Sequence, residues 1–253
     1  MGTMVKKRLL VPVAALGVAV VGAAILSRRG RWLWVPAYRA LAGSRTVKDV
    51  LQRYGPAAEG RLRPHFQRAG VAYPPKGVAL VGFKAEKRLE LWAAKGKGWA
   101  FIRSYRIRAA SGKAGPKLRE GDRQVPEGLY TLEYLNPNSR YHLSMKISYP
   151  NAFDRKHAKA EGRSEPGSDI FLHGQAVSIG CLAMGDRAIE ELFCLVARVG
   201  ASRVKVLLAP NDLRAARPVT DLRAAPRWVP DLYKQLKAEL RAFPLPQRKD
   251  TRP

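Results

Sequence analysis

Two residues in the stretch Ile170 to Asp186, IFLHGQAVSIGCLAMGD, have the chemistry of a nucleophile and its base. Cys181 supplies a thiol, and His173 an imidazole that titrates near neutral pH. A free thiol has a pKa of about 8.5, so little of it is ionised at pH 7 unless a histidine, a cation or a helix N-terminus lowers that value. Two of those devices are within reach. One is His173; the other is the helix-period segment Ile189, Leu192, Phe193 and Val196, whose positive end would lie near the sulfur. The N–H groups of Gly180, Cys181 and Leu182 are candidates for an oxyanion hole, with Gly180 allowing close backbone approach. Burial is the usual fate of a lone cysteine, so the pair by itself leaves packing open as an alternative to chemistry.

Several elements must position this pair. Ile170, Phe171 and Leu172 read as a short buried strand that stops at the His173-Gly174 turn. Apolar and aromatic residues recur over 78–83, 89–93, 99–107, 129–135 and 141–149, between turn signals such as Lys95-Gly-Lys-Gly98 and Asn136-Pro-Asn138. Short loops between such strands imply a mainly antiparallel sheet. Val204 to Leu208 reads as a final buried strand. Before the sheet, Val47, Val50, Leu51 and Tyr54 predict a helix that stops at Gly55-Pro56, with a second short helix around Leu62 and Phe66. Asp186 is a candidate N-cap for the helix after Cys181. Beyond it, Leu232, Leu236 and Leu240 predict a C-terminal helix packed back on the domain.

Two polar segments interrupt the strand pattern. The insert 109–128 carries Lys117, Arg119 and Arg123, which with Arg187 are candidates for gripping a substrate carboxylate; a solvated basic loop is the plainer account of each. The excursion 151–168 is a candidate lid, with His157 expected in solvent. No histidine pair has metal-ligand spacing, and no phosphate loop or dinucleotide fingerprint is present, so no metal and no cofactor is expected.

His173-Gly-x3-Ser178-x-Gly180-Cys181-Leu-Ala-Met-Gly-Asp186 resembles the signature of the L,D-transpeptidase catalytic domain, or YkuD domain, and within it the YafK-like subgroup. The segments 78–84, 89–92, 117–130 and 147–151 extend the resemblance to roughly residues 45–210. It implies a mainly β catalytic domain with flanking helices, a YkuD-like β-sandwich. By the same resemblance, Cys181 is the nucleophile that forms a thioester with a peptidoglycan stem peptide and His173 its base, while Ser178 and Gly174 orient the site. Most family members place a second histidine where this chain has Ile179, and an arginine two residues after the cysteine, where it has Ala183. The implied reaction is transfer of the acyl group to an amine acceptor. Alternatives are a hydrolase of the same fold that trims cross-links or releases wall-attached protein, and a non-catalytic peptidoglycan-binding protein.

The 253 residues, 46% of them hydrophobic, suit one medium domain with extensions. The expected division is an anchor over 1–31, a helical linker over 32–75, the catalytic domain over 76–210 and a basic extension over 211–253. Lys6-Lys7-Arg8 precedes the apolar run Leu9 to Ser27, long enough to span a bilayer of ~20 residues; cleavage near Ala40-Leu-Ala42 is the alternative. A retained anchor would place the catalytic part on the outer side of the membrane, in the cell envelope. The net charge of +26 implies attraction to anionic membrane or wall polymers, unless it is only compositional. No nucleic-acid partner is expected, because the cations are scattered and no recognition motif accompanies them. The partners implied are peptidoglycan stem peptides and a wall-attached protein as acceptor or substrate. Two cysteines make no disulfide framework, and Cys194 falls on the apolar side of its helix.

Overall fold

A computed structural model of the chain describes residues 44–215 and 225–246. The expected anchor Leu9 to Ser27 and the adjoining Trp32 and Trp34 lie outside the described residues. Among the described residues, no helix is long and apolar enough to cross a membrane.

Helix α1 (Val47–Arg68) opens on a reciprocal cap, in which the Thr46 hydroxyl accepts from the Asp49 N–H at 3.2 Å and Asp49 Oδ2 accepts from the Thr46 N–H at 2.7 Å. It then runs unbroken through Gly55-Pro56 and Pro64, correcting the expected pair of short helices. The reason is tertiary. Val50, Gly55, Ala58, Leu62 and Phe66 form one buried stripe, while both prolines face solvent, where water can satisfy the carbonyls they leave without an intrahelical partner.

Among the described residues, nine strands form one curled sheet in the order β3-β2-β1-β9-β5-β6-β7-β8-β4. They are β1 (Val78–Phe83), β2 (Arg88–Lys95), β3 (Gly98–Arg106), β4 (Ala109–Ala110), β5 (Gly128–Asn136), β6 (Ser144–Ile147), β7 (Phe171–His173), β8 (Leu182–Ala183) and β9 (Val204–Ala209). Most pairings are antiparallel, as the short loops require, but β1–β9 and β7–β8 are parallel, the first across more than a hundred residues and the second across the loop 174–181. β9 is the last strand in sequence yet lies between β1 and β5.

All six residues of β1 are buried because both faces of this part of the sheet are covered. Val78 and Leu80 join the main core with α1 and helix α3 (Asp186–Val199), whereas Ala79, Val81 and Phe83 meet Leu232, Leu236 and Leu240 of helix α4 (Val229–Leu240). The excursion 151–168 contains helix α2 (Ala152–Ala160), capped reciprocally by Asn151 and Asp154. His157 on α2 stacks on Trp228 with centroids 4.6 Å apart, so it is packed rather than free in solvent as expected. Of the expected strand 141–149, only Ser144–Ile147 pairs; the residues before it form the β5–β6 loop.

The polar insert between β4 and β5 is fixed by a buried ion pair. Lys84, just past β1, places Nζ 2.9 Å from Glu127 Oε1 and donates to the carbonyls of Gly115 and Val125 at 2.8 Å each. Glu127 also accepts from the Gly115 N–H at 2.9 Å and from the Tyr233 hydroxyl of α4 at 2.7 Å. Every charge is satisfied, which is the condition for a buried pair to be tolerated. Lys84→Ala, which strands the Glu127 carboxylate, is expected to lower unfolding free energy by about 3–5 kcal/mol in chemical denaturation. A loss below 1 kcal/mol would show that the insert holds without the pair.

Candidate active site

His173 ends β7 and is held by pairing on both sides, with β6 through Ser144 and with β8 through Ala183. Its ring is buried and lies 4.6 Å, centroid to centroid, from that of Tyr141 on the β5–β6 loop. Nδ1 stands 2.7 Å from the Gly174 carbonyl, which can only accept, so the proton is on Nδ1 and Nε2 carries the lone pair. Burial pushes the imidazole pKa down, partly offset by that hydrogen bond, so the ring is neutral at pH 7.

The loop 174–181 returns the chain from β7 to β8. Gly174 is needed sterically: a Cβ there would lie 2.6 Å from the Tyr141 carbonyl oxygen and 2.7 Å from Asp186 Oδ1. Asp186 is the first residue of α3 rather than its cap; the cap position is Gly185, and the Asp186 carboxylate accepts from the Gln175 N–H at 2.7 Å. At the far end of the loop Gly180 adopts φ +95°, a conformation that side chains rarely allow. The Ser178 hydroxyl donates to the Cys181 carbonyl and accepts from the Cys181 N–H at 3.1 Å, closing a tight turn around the thiol.

Cys181 and His173 line one cleft of about 220 Å³. Its other walls are Phe171, Ser144 and the β5–β6 loop residues Asn136, Asn138, Ser139, Arg140 and Tyr141. No hydrogen bond joins the thiol to the imidazole; the thiol donates to the Asp169 carbonyl at 3.6 Å. Burial pushes the thiol pKa up, and the Asp169 charge adds to it, while the bond to the Phe171 backbone and the Lys117 charge oppose. The thiol pKa is therefore raised, not lowered as a neighbouring helix N-terminus would make it, and β8 and Met184-Gly185 come between Cys181 and α3 in the chain. Of the expected oxyanion-hole donors, the Gly180 N–H donates to Ser111 Oγ at 2.6 Å and the Cys181 N–H to Ser178 Oγ in the resting chain, while Leu182 lies in β8.

The expected carboxylate-binding cations are not brought to the cleft. Lys117 is buried under the insert, its Nζ 2.7 Å from Asp122 Oδ1 and 2.9 Å from the Arg119 carbonyl. Burial pushes the Asp122 carboxyl up, but the Lys117 bond and three backbone N–H groups outweigh it and hold it below the usual range. Arg119, Arg123 and Arg187 are exposed outside the cleft lining. Sequence reading missed Ser111, Arg140 and Tyr141. Tyr141 opens the segment 141–149 that reads as a strand, Arg140 stands just before it, and nothing local marks Ser111, which reaches Gly180 across 69 positions of chain. Cys194 is fully buried in α3, and burial pushes its thiol up to about 11.

The curled sheet with flanking helices, carrying a cysteine and a histidine in one cleft, has a counterpart among known families. A model of the L,D-transpeptidase catalytic domain, YkuD, matches residues 78–206, and the chain belongs to that family. The Escherichia coli K12 protein YafK, provisionally named an L,D-transpeptidase, is 40% identical over 116 residues. That alignment covers 45% of this chain and 45% of YafK, so this chain spans less than half of its relative's length. Among solved structures, the helical cell shape determining protein Pgp2 from Campylobacter jejuni aligns at TM-score 0.45 and 21% identity, over 54% of this chain and 48% of that one. L,D-transpeptidase 1 of Mycobacterium tuberculosis aligns at TM-score 0.31 and 9% identity, over 53% and 62%.

A neutral thiol beside a neutral imidazole has a distinct pH signature. Alkylation of Cys181 by iodoacetamide is expected to rise steadily with pH, with a half-point above the ordinary thiol value of ~8.5, because the folded pKa is raised. A rate plateau from pH 6 upward would instead reveal a preformed thiolate–imidazolium pair.

Proposed function

We propose that the chain is a cysteine-dependent L,D-transpeptidase of the cell envelope, acting on peptidoglycan stem peptides through a thioester on Cys181. The observation that carries this reading is that the Cys181 thiol and the His173 imidazole line one cleft, with Nδ1–H committed to the Gly174 carbonyl and the Nε2 lone pair left to take a proton. Family membership supports the same assignment. The partners follow from it: a stem peptide as donor and an amine, on another stem or a wall-attached protein, as acceptor. The apolar segment Leu9 to Ser27 would hold the domain at the membrane.

The reaction starts from the neutral pair. As Cys181 Sγ bonds to the carbonyl carbon, the thiol proton passes to His173 Nε2, so ionisation is coupled to attack instead of preceding it. The developing oxyanion is a stronger acceptor than a hydroxyl, so it takes the Cys181 N–H from Ser178. Collapse breaks the C–N bond, and the leaving amine receives the proton from Nε2. An acceptor amine then attacks the thioester, gives its proton to Nε2, and the thiolate leaves and recovers it. Water in place of the amine would make the same chain a hydrolase. The first half-reaction is common to both.

The test uses the purified full chain, muropeptides with tetrapeptide stems, and intact-mass spectrometry. An adduct of stem-acyl mass is expected on the native chain and none on Cys181→Ala. His173→Ala is expected to slow its formation by about 10²- to 10⁴-fold. If neither adduct nor Cys181-dependent product forms with any stem, the enzymatic reading is lost and wall binding without catalysis takes its place.

A further inference from the structure

His142, on the loop before β6, has φ +74°, a region that residues other than glycine seldom occupy. It is the centre of a three-residue turn, closed by the Leu143 N–H donating to the Tyr141 carbonyl at 3.0 Å. Turns with positive φ at the centre are rare and strained, and they persist only where surrounding contacts over-determine them. Two helices supply such contacts here. His142 Nε2 stands 3.0 Å from Glu190 Oε1 of α3, and the Tyr54 ring of α1 meets the imidazole edge-on with centroids 5.2 Å apart. Glu190 is held in turn, its other oxygen lying 3.4 Å from the Arg61 guanidinium of α1.

Both neighbours of His142 act on His173. Tyr141 lays its ring against the imidazole, and the Leu143 carbonyl accepts from the Gly174 N–H at 3.1 Å, while the Gly174 carbonyl takes the Nδ1 proton. The seating is close, since a Cβ at Gly174 would lie 3.0 Å from that of His142. On the other side of His173, Asp186 holds the Gln175 N–H, and Gln175 too has positive φ, +58°. Asp186 and Glu190 are one turn apart on the same face of α3. The segments on either side of the base are thus each tied, at a strained residue, to a carboxylate of one helix.

We infer that His142 is a positioning residue: held by Glu190, it sets the turn that seats the Tyr141 ring and the Leu143 carbonyl around His173. It does not line the cleft, and it acts through its two neighbours. Without the tie the turn relaxes, the Tyr141 ring lifts and water reaches the imidazole. This inference rests on the reading of Cys181 and His173 as nucleophile and base and deepens it.

The experiment follows the His173 imidazole of the full chain by heteronuclear NMR across pH, with no substrate present. In the native chain the proton is expected on Nδ1, with titration below the ordinary imidazole value of ~6.5, because the ring is buried, although Arg140, Tyr141 and Cys181 share its cleft. His142→Gly accepts the positive φ freely but cannot reach Glu190. It is expected to raise the titration towards the ordinary value and to mix the two tautomers, as is Glu190→Ala. Adding Tyr141→Ala to His142→Gly is expected to move the titration no further, because the one acts through the other. Should Glu190→Ala not fold, His142→Gly, relieved of the strain, carries the test. A general loss of stability leaves the titration of the folded chain where it was. Unchanged titration and tautomer in His142→Gly, or a further shift on adding Tyr141→Ala, overturns the inference.

Thioester formation with a tetrapeptide-stem muropeptide is scored separately. It is expected to slow by about 10- to 100-fold in His142→Gly, the acid limb of its pH profile moving up with the His173 titration. A shifted titration without an adduct from any stem removes the acyltransferase and leaves the positioning; adduct formation with an unshifted titration does the reverse.

Discussion

The buried pair of Lys84 and Glu127 is the constraint from which the active region hangs. It closes a loop of polar chain against the end of β1, an interior strand of the sheet, and against α4 on the sheet's second face. That loop holds Ser111, the partner of the Gly180 N–H, and Lys117, whose field reaches the thiol. Through the bond from the Glu120 N–H to the Glu165 carbonyl it also fixes the segment that leads into β7. Glu191 does the same on the other side, joining α1, β3 and α3 through Arg61, Arg103 and Tyr105. In a chain with more than twice as many basic as acidic residues, carboxylates are scarce, and several of the scarce ones serve as internal junctions.

The electrostatics around Cys181 and His173 favour an uncharged resting state. Both groups are drawn by burial towards their neutral forms, and the thiol is turned to a backbone carbonyl instead of the imidazole. Such a site resists adventitious oxidation, since the thiolate is the species that oxidants attack. In the proposed reaction activation falls to the substrate, whose oxyanion would draw the Cys181 N–H away from Ser178.

Strand positions were legible where apolar runs sit between turn residues, and β1, β2, β3, β5 and β9 follow the sequence closely. Cys181, His173 and Ser178 could be singled out because their chemistry is local to one loop and its flanking strands. What sequence could not supply was decided by contacts across the fold. The α1 prolines read as breaks, but their exposed side of the helix tolerates them. Lys117 read as a cation free for ligand, and Asp122, five residues on, consumes it. Tyr141 reaches the cleft because β6 starts three residues later than the apolar pattern suggested, which leaves it with Arg140 on the loop that lines the cleft. The thiol's environment was misread for a similar reason: two residues of strand and a two-residue link stand between Cys181 and the helix that was expected to polarise it.

The place of β9 ties the cleft to the history of the chain. Hairpin β1–β2–β3 and the arm β6–β7–β8 can each pair locally, but β9 stands between β1 and β5, and the arm is flanked by β5 on one side and β4 on the other. The β1–β9 pairing joins residues more than a hundred positions apart, so that seam can close only after Val204 to Ala209 has been made. A chain emerging from the ribosome carries this thiol through the 28 positions from Cys181 to Ala209 before the last strand of its framework has been made.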